Sequence, residues 1–309
     1  RTLAGMAAHP VDAIMLENRA ASFTRRSIKE SAKKQGLRLA LSMVDLTTLE
    51  GSDSPEKVRS LCRKAIKPWE GEIDTPLPSV AAVCVYPNLV PVAKEILDGT
   101  GVHIASVATG FPSGQFPIGV RLRDAAEAVA AGADEIDMVI NRGAFLAGRE
   151  EEVAEEIREV RSTVHPAHLK IILETGELGN YDAIRRASDL AMEAAASVGL
   201  IRDGEVFIKT STGKISPAAT MPSVLVMLEA IRDHWFATGV RIGMKPAGGI
   251  RQAKAALHQL AMVKETLGDA WLTPRLFRFG ASSLANDLLR QLIRIERGCY
   301  MAEHDFSEA

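Results

Sequence analysis

From about residue 38 onward, apolar and polar positions alternate between two textures. Short runs of mostly apolar, often β-branched residues are followed by longer stretches rich in Ala, Leu and charge. The short runs are LALSMVDL (39–46), SVAAVCVY (79–86), VHIASVAT (102–109), DEIDMVI (134–140), LKIILET (169–175), EVFIKTS (205–211), VRIGMKP (240–246) and LFRFGAS (276–282). Runs this short and this continuously apolar predict strands buried on both faces, as in a parallel sheet; a half-wet strand would alternate. Between them, RDAAEAVAAG (123–132) and REEEVAEEIREVRST (149–163) place apolar residues at helical spacing. Gly132 supplies a helix stop, because glycine tolerates the left-handed backbone a helix end often needs. Ser54-Pro55 predicts a helix start, with a capping oxygen before a proline in the first turn.

Strands alternating with helices predict a βα-repeat fold. Eight repeats in 309 residues predict an α/β fold of the closed (β/α)8 TIM-barrel type over an open, doubly wound sheet. The barrel is assigned to 39–297. Residues 1–38 form an N-terminal extension in which ENRAASFTRRSIKESAKK (17–34) predicts helix, packed on the barrel exterior or at a subunit contact. Residues 298–309 form a C-terminal tail.

Charge and composition narrow the function classes. Lys+Arg number 37 and Asp+Glu 39, so no basic excess points to nucleic acid. No apolar run approaches the ~20 residues needed to span a membrane. The opening segment lacks the apolar core and small-residue cleavage site of a signal peptide, although the chain opens on Arg1 rather than Met. Cys62, Cys84 and Cys299 form no CxxC and lie beside no histidine pair. That argues against a zinc site or a disulfide framework and fits a cytoplasmic protein. The seven histidines are scattered, and His165 and His168 fall near the start of strand five, away from a barrel's functional face. No metal and no cofactor is expected.

Four charges sit where apolar residues belong. Asp45 falls at the end of the first run, Asp137 inside the fourth, Lys209 at the end of the sixth and Lys245 at the end of the seventh. In such barrels the C-terminal strand ends carry function. Two buried ion pairs would explain them structurally. However, buried ion pairs are weak stabilisers, and two lysines on neighbouring strands repel. Chemistry explains them better. A lysine attacks a carbonyl only as the free amine, and at its ordinary pKa only about four in ten thousand are neutral at pH 7. A neighbouring ammonium and an apolar wall both disfavour the charged form. Lowering the pKa by ~3 units takes ~4 kcal/mol, much of which one adjacent cation can supply in a dry pocket. A carboxylate then handles the protons of carbinolamine formation and dehydration. Two lysines and an aspartate in one barrel mouth read as Schiff-base machinery.

The seventh run leads into Pro246-Ala247-Gly248-Gly249-Ile250 and the eighth into Gly280-Ala281-Ser282-Ser283. Glycines there let backbone N–H groups approach an anion, and each following helix adds its dipole. One such loop could be an ordinary turn with Ser282 or Ser283 as a helix cap. Two, after strands seven and eight, point to a phosphate.

FIKTSTGK, KPAGGIR, RFGASSL, DLTTLE, CVYP and ETGEL occur in the order found in deoxyribose-phosphate aldolases, and over about 38–296 the chain resembles that family. The resemblance implies Lys209 as the Schiff-base lysine, Lys245 as the second lysine that perturbs it, and Asp137 as the aspartate of the proton relay. It implies Asp45 and Thr47 as first-strand substrate contacts and Lys214 as a contact to the phosphate end. It implies Gly248, Gly249, Gly280, Ser282 and Ser283 as the phosphate cradle. Cys84 matches a cysteine near the family's pocket and is otherwise a small buried hydrophobe. The implied reaction is reversible cleavage of 2-deoxy-D-ribose 5-phosphate to acetaldehyde and D-glyceraldehyde 3-phosphate. The implied partners are a small phosphorylated sugar, aldehydes and further copies of the chain (dimer or tetramer). The chain departs from the family in its longer N-terminal segment, in VGLIRDGE (198–205) before strand six, and in Tyr300 not being terminal. Three alternatives stay open: another Schiff-base aldolase or transaldolase, a pyridoxal-phosphate enzyme, and a non-catalytic phosphosugar-binding barrel.

Overall fold

A computed structural model describes residues 10–300, 302 and 306. Residues 1–9 of the extension and most of the tail beyond Tyr300 lie outside the described residues. Eight parallel strands form one sheet: β1 (Val44–Thr47), β2 (Ala82–Val85), β3 (His103–Ala108), β4 (Glu135–Val139), β5 (His168–Ile172), β6 (Val206–Lys209), β7 (Gly243–Lys245) and β8 (Phe279–Ala281). Each pairs with its sequence neighbour, and β8 pairs with β1. The seam between β7 and β8 is closed by backbone bonds from Met244 N to Leu276 O, Arg278 N to Met244 O and Gly280 N to Pro246 O, at 3.0, 3.0 and 2.9 Å. The sheet is therefore a closed barrel.

A strand falls on each of the eight predicted runs, each shorter than its run, with β1 reaching one residue past its run at Thr47 and β5 starting one residue before its run at His168. The largest difference is at the start. Leu39–Ser42 belong to a helix, because Leu37, Ala40 and Leu41 are buried at helical spacing and continue the segment before them. The N-terminal segment forms two helices, α1 (Ala13–Thr24) and α2 (Glu30–Ser42), rather than one stretch. Eight more helices follow the first seven strands: α3 (Pro55–Ile66), α4 (Val90–Leu97), α5 (Ile118–Ala130), α6 (Arg142–Leu146), α7 (Glu150–Val164), α8 (Tyr181–Ala196), α9 (Met221–Thr238) and α10 (Ala253–Leu267). α11 (Leu284–Arg297) follows β8. Helix α1 packs on α9, with Arg19 donating to Glu229 at 2.6 Å, and α2 lies against α10 and α11. Gly36 permits that approach, since a Cβ there would stand 2.7 Å from Leu257. Ser54 caps α3 as predicted, accepting from Lys57 N at 3.2 Å, and Gly132 takes φ +114 just past α5.

Strand period divides the buried residues into two cores. Val44, Leu46, Val83, Val85, Ile136, Met138, Leu169, Ile171, Ile208 and Met244 face outward and join the large apolar cluster under the helices. The residues between them face the barrel axis. There the apolar cluster is small: Leu49, Cys84, Ala105 and Val107. Charges fill the rest of the axis, and their placement follows from register. Lys209 pairs with Lys245, Asp137 with Lys170, and Asp45 with Gly280, so all point the same way.

Candidate active site

Asp137 Oδ2 accepts from Lys209 Nζ at 2.8 Å and from Lys245 Nζ at 2.7 Å, while Oδ1 accepts from Lys170 Nζ at 3.2 Å. One carboxylate thus serves three amines. Asp45 Oδ2 lies 2.6 Å from Lys245 Nζ, close enough for an ion pair but with hydrogen-bond geometry unmet. Asp45 Oδ1 accepts from Arg278 at 2.8 Å. Asp45, Asp137, Lys170 and Lys245 are 0 % exposed, and Lys209 is 2 % exposed. A lone buried charge costs several kcal/mol, so every member depends on its partners.

The two lysines are driven apart electrostatically. Burial pushes Lys209 below its ordinary pKa; the Asp137 carboxylate opposes this and the Lys245 ammonium adds to it. Burial also works against a charged Lys245, but Asp137 and Asp45 outweigh it and hold that ammonium well above the ordinary range. Burial disfavours the charged Asp137 as well, yet the Lys170, Lys209 and Lys245 ammonium groups keep it ionised, and Asp45 is likewise held low. The site therefore contains one amine poised to lose its proton beside one that keeps it. The larger cause for Lys209 is burial, with Lys245 second among the groups that depress it.

A cavity of about 280 Å³ opens above this cluster at the C-terminal ends of the strands. Its lining includes Thr47, Lys209, Lys214, Gly248, Gly249, Gly280, Ser282 and Ser283. The structure thus brings together the sequence-predicted lysine, two of its four expected substrate contacts (Thr47 and Lys214) and both glycine loops. Asp45, Cys84, Asp137 and Lys245 do not line the cavity and lie beneath it. Cys84 sits in the small inner core, where burial pushes its thiol up, away from thiolate reactivity. Lys214 pairs with Glu50 at 2.9 Å across the mouth. Gly248 and Gly249 take φ +84 and +81, a region that favours glycine. Gly280 has a different reason: a Cβ there would stand 3.0 Å from Lys245 Cε and 2.8 Å from Ala247 Cβ. Ser283 stands at the start of α11 without a side-chain capping bond, which leaves its hydroxyl available to a ligand.

Four residues escaped the sequence reading. Glu174 is buried, and its two oxygens accept from Thr212 Oγ1 at 2.6 Å and Thr212 N at 3.2 Å, pinning the loop that follows Lys209. Glu135, Lys170 and Arg278 extend the ion cluster downward. The signal used for Asp137, a charge within an apolar run, was present for all three. Glu135 is two residues from Asp137 and so shares its face.

Fold and cavity together define an α/β barrel with a lysine-centred pocket at the C-terminal face of its strands. A family model described as DeoC/LacD family aldolase matches residues 39–290, and the chain belongs to that family. It is 46% identical to the deoxyribose-phosphate aldolase of Mus musculus over 289 residues, covering 91% of this chain and 88% of that one. Among solved structures, the aldolase QR15 is 28% identical with a TM-score of 0.64, covering 83% of this chain and 97% of its own. A deoxyribose phosphate aldolase of Aeropyrum pernix, described as having a unique tetrameric structure, shares the fold at 22% identity with a TM-score of 0.59, covering 87% and 100%.

Proposed function

We propose that this chain catalyses the reversible retro-aldol cleavage of 2-deoxy-D-ribose 5-phosphate to acetaldehyde and D-glyceraldehyde 3-phosphate through a Schiff base on Lys209. One observation carries the reading: of the buried ion cluster, Lys209 alone reaches the cavity, and that cavity also holds both glycine-bearing loops. The mouse relative's name supports the substrate.

Lys209 Nζ adds to C1 of the open-chain sugar, and the carbinolamine loses water to give an iminium. The bond that breaks is C2–C3, since acetaldehyde leaves with two carbons. Its electron pair enters the iminium, and the C3 hydroxyl gives up its proton as C3 becomes the aldehyde of glyceraldehyde 3-phosphate. The remaining enamine takes a proton at C2, and water hydrolyses the iminium to acetaldehyde and free Lys209. Asp137 and Lys245, 2.7 Å apart, are the acid–base pair nearest the nitrogen throughout. The iminium supplies the electron sink that a Lewis acid would otherwise provide. Exhaustive chelation should accordingly leave acetaldehyde release unchanged; a loss restored by Zn²⁺ would overturn the mechanism.

The sugar's phosphate is read as binding Gly248, Gly249, Gly280, Ser282, Ser283 and the nearby Lys214, with Thr47 the first-strand contact to the rest of the sugar; Asp45, buried beneath the cavity on Lys245 and Arg278, does not reach it. Gly249 is the cleanest probe, because a Cβ there meets nothing within 4 Å and its substitution disturbs only the loop's positive φ. Gly249→Val should raise KM for the phosphorylated sugar about tenfold or more while changing turnover of unphosphorylated deoxyribose little, one charge-assisted hydrogen bond being worth ~1.5–3 kcal/mol. Equal losses on both sugars would leave the loop a packing role only. Gly280 cannot serve this purpose, because a side chain there would press on Lys245 and slow both substrates.

In this reading residues 39–297 are the catalytic unit, with the N-terminal helices and the tail as additions. The protein acts in the cytoplasm as a homo-oligomer, which light scattering would test. Among the described residues no helix is long and apolar enough to cross a membrane, and all three cysteines are free.

A further inference from the structure

Below Lys209 the barrel holds a second tier of charge that the steps above leave unused. Glu135 opens β4 and shares the inward face of Asp137. Its carboxylate accepts from Arg278 Nη2 at 2.8 Å and Nη1 at 3.2 Å, and from Lys170 Nζ. It also meets His103 Nδ1 at 2.8 Å, at the half-exposed rim of the barrel floor. Lys170 and Arg278 then reach upward, the first to Asp137 Oδ1 and the second to Asp45 Oδ1. The Phe207 ring lies 5.8 Å from each of these cations. Gly243 makes room for that ring, since a Cβ there would stand 2.5 Å from it.

Two consequences follow. Asp45 and Asp137 each have Oδ1 committed downward, so only Oδ2 remains for the amines above. The charges also balance in one way. Among the described residues, Asp45, Glu135 and Asp137 face Lys170, Lys209, Lys245 and Arg278 in the barrel interior, all of them buried. Counted with a neutral His103 at the half-exposed rim, the fully ionised cluster carries one surplus positive charge where water cannot screen it, and with Lys209 as the free amine it carries none.

We propose that Glu135, Lys170 and Arg278 are positioning residues for the aldolase reaction: a buried charge tier that acts through Asp45 and Asp137 to make Lys209 the amine that gives up its proton. The inference rests on the reading of Lys209 as the nucleophile. A purely structural role does not call for this arrangement. Apolar residues of similar volume often stabilise as well as buried ion pairs, and pairing alone does not need one cation more than the carboxylates. The other seven strands supply the charged and titratable groups packed around the cluster: Asp45 from β1, Cys84 from β2, His103 from β3, Glu135 and Asp137 from β4, Lys170 from β5, Lys245 from β7 and Arg278 at the entry to β8; of these, Asp137, Lys245 and Cys84 act on Lys209 directly and the rest act through their partners.

The test uses sign. Lys170→Met or Arg278→Met removes a positive charge, so Lys209 should hold its proton to higher pH. The acid limb of kcat/KM for deoxyribose 5-phosphate, and of the rate of borohydride trapping, should move up by about one pH unit, a tenfold change in free amine. The double variant Glu135→Gln with Lys170→Met restores the balance and should return the limb towards its wild-type position. Arg278→Lys keeps the charge and should leave it unmoved. A structural role predicts the opposite for the double variant, which loses more contacts and should do worse. Should either Met variant fail to fold, Lys170→Gln and Arg278→Gln carry the same measurement. Wild-type trapping at Lys209 together with folded variants whose acid limbs stay in place would overturn the inference alone. Absence of trapping in the wild type would instead remove the aldolase reading beneath it.

Discussion

Borohydride added together with deoxyribose 5-phosphate should inactivate the protein, and the reduced adduct should map to Lys209. Lys209→Met should lower turnover by about 10⁴-fold or more, because in the proposed mechanism its amine forms the iminium that accepts the electron pair. Both lysines are buried, both touch Asp137, and the pair is in register across β6 and β7. What separates them is access and charge. Lys209 borders the cavity, and burial lowers its pKa; Lys245 is 0 % exposed and is held as an ammonium by two carboxylates. From the cavity a carbonyl carbon meets only the first, and only the first has its hold on a proton weakened. An adduct on Lys245 would reverse this assignment and would require the cluster to open on binding substrate.

Lys245→Leu should move the acid limb of kcat/KM upward. The sign follows from the charges: an ammonium beside Lys209 disfavours a second, so removing it lets Lys209 keep its proton to higher pH. A rise of ~2 units would cut the free amine at pH 7 about a hundredfold. Because burial is the larger cause of the Lys209 shift, part of the depression should survive the substitution. A loss persisting on the high-pH plateau would measure the part in moving protons with Asp137 that the proposed mechanism gives Lys245. The titration should be read as belonging to the pair, since both amines share one carboxylate oxygen. The variant also leaves Asp45 Oδ2 with no cation at 2.6 Å. Removing one partner of a buried pair typically costs ~3–5 kcal/mol, so Lys245→Leu should melt at a lower temperature as well. An unmoved acid limb in a folded Lys245→Leu protein would leave desolvation alone to explain the reactive amine.

The barrel was legible in the sequence because a strand buried on both faces has a signature nearly independent of its neighbours. A continuous apolar run between amphipathic segments must be covered on two sides, and eight of them can be covered together by closing the sheet. The runs overshoot the strands for the same reason. LALS (39–42) is as apolar as a strand and lies in α2, since burial spacing rather than apolarity decides between helix and strand. Lys209, Lys245, Asp137 and Asp45 were visible as charges in apolar runs, and the glycine-bearing loops by their composition. Chain pattern alone thus determined the element order, the barrel and the residues that sit uneasily in it.

Tertiary structure decided how those residues relate, and the reason is that a charge's behaviour depends on distance and solvent rather than on sequence spacing. Lys209 and Asp137 are 72 residues apart and 2.8 Å apart in space. Only the closed barrel shows that Lys245 lies beside Lys209 and out of the cavity with its ammonium held by two carboxylates, that Cys84 sits in the inner core away from the cavity, and that a side chain at Gly280 would press on Ala247 and Lys245. Glu135, Lys170 and Arg278 make the same point. Each lies in a predicted strand, yet nothing in the chain's pattern reveals that inward-facing positions on separate strands meet as one ion cluster. Register brings them to the axis, and exclusion of water there leaves their mutual charge largely unscreened.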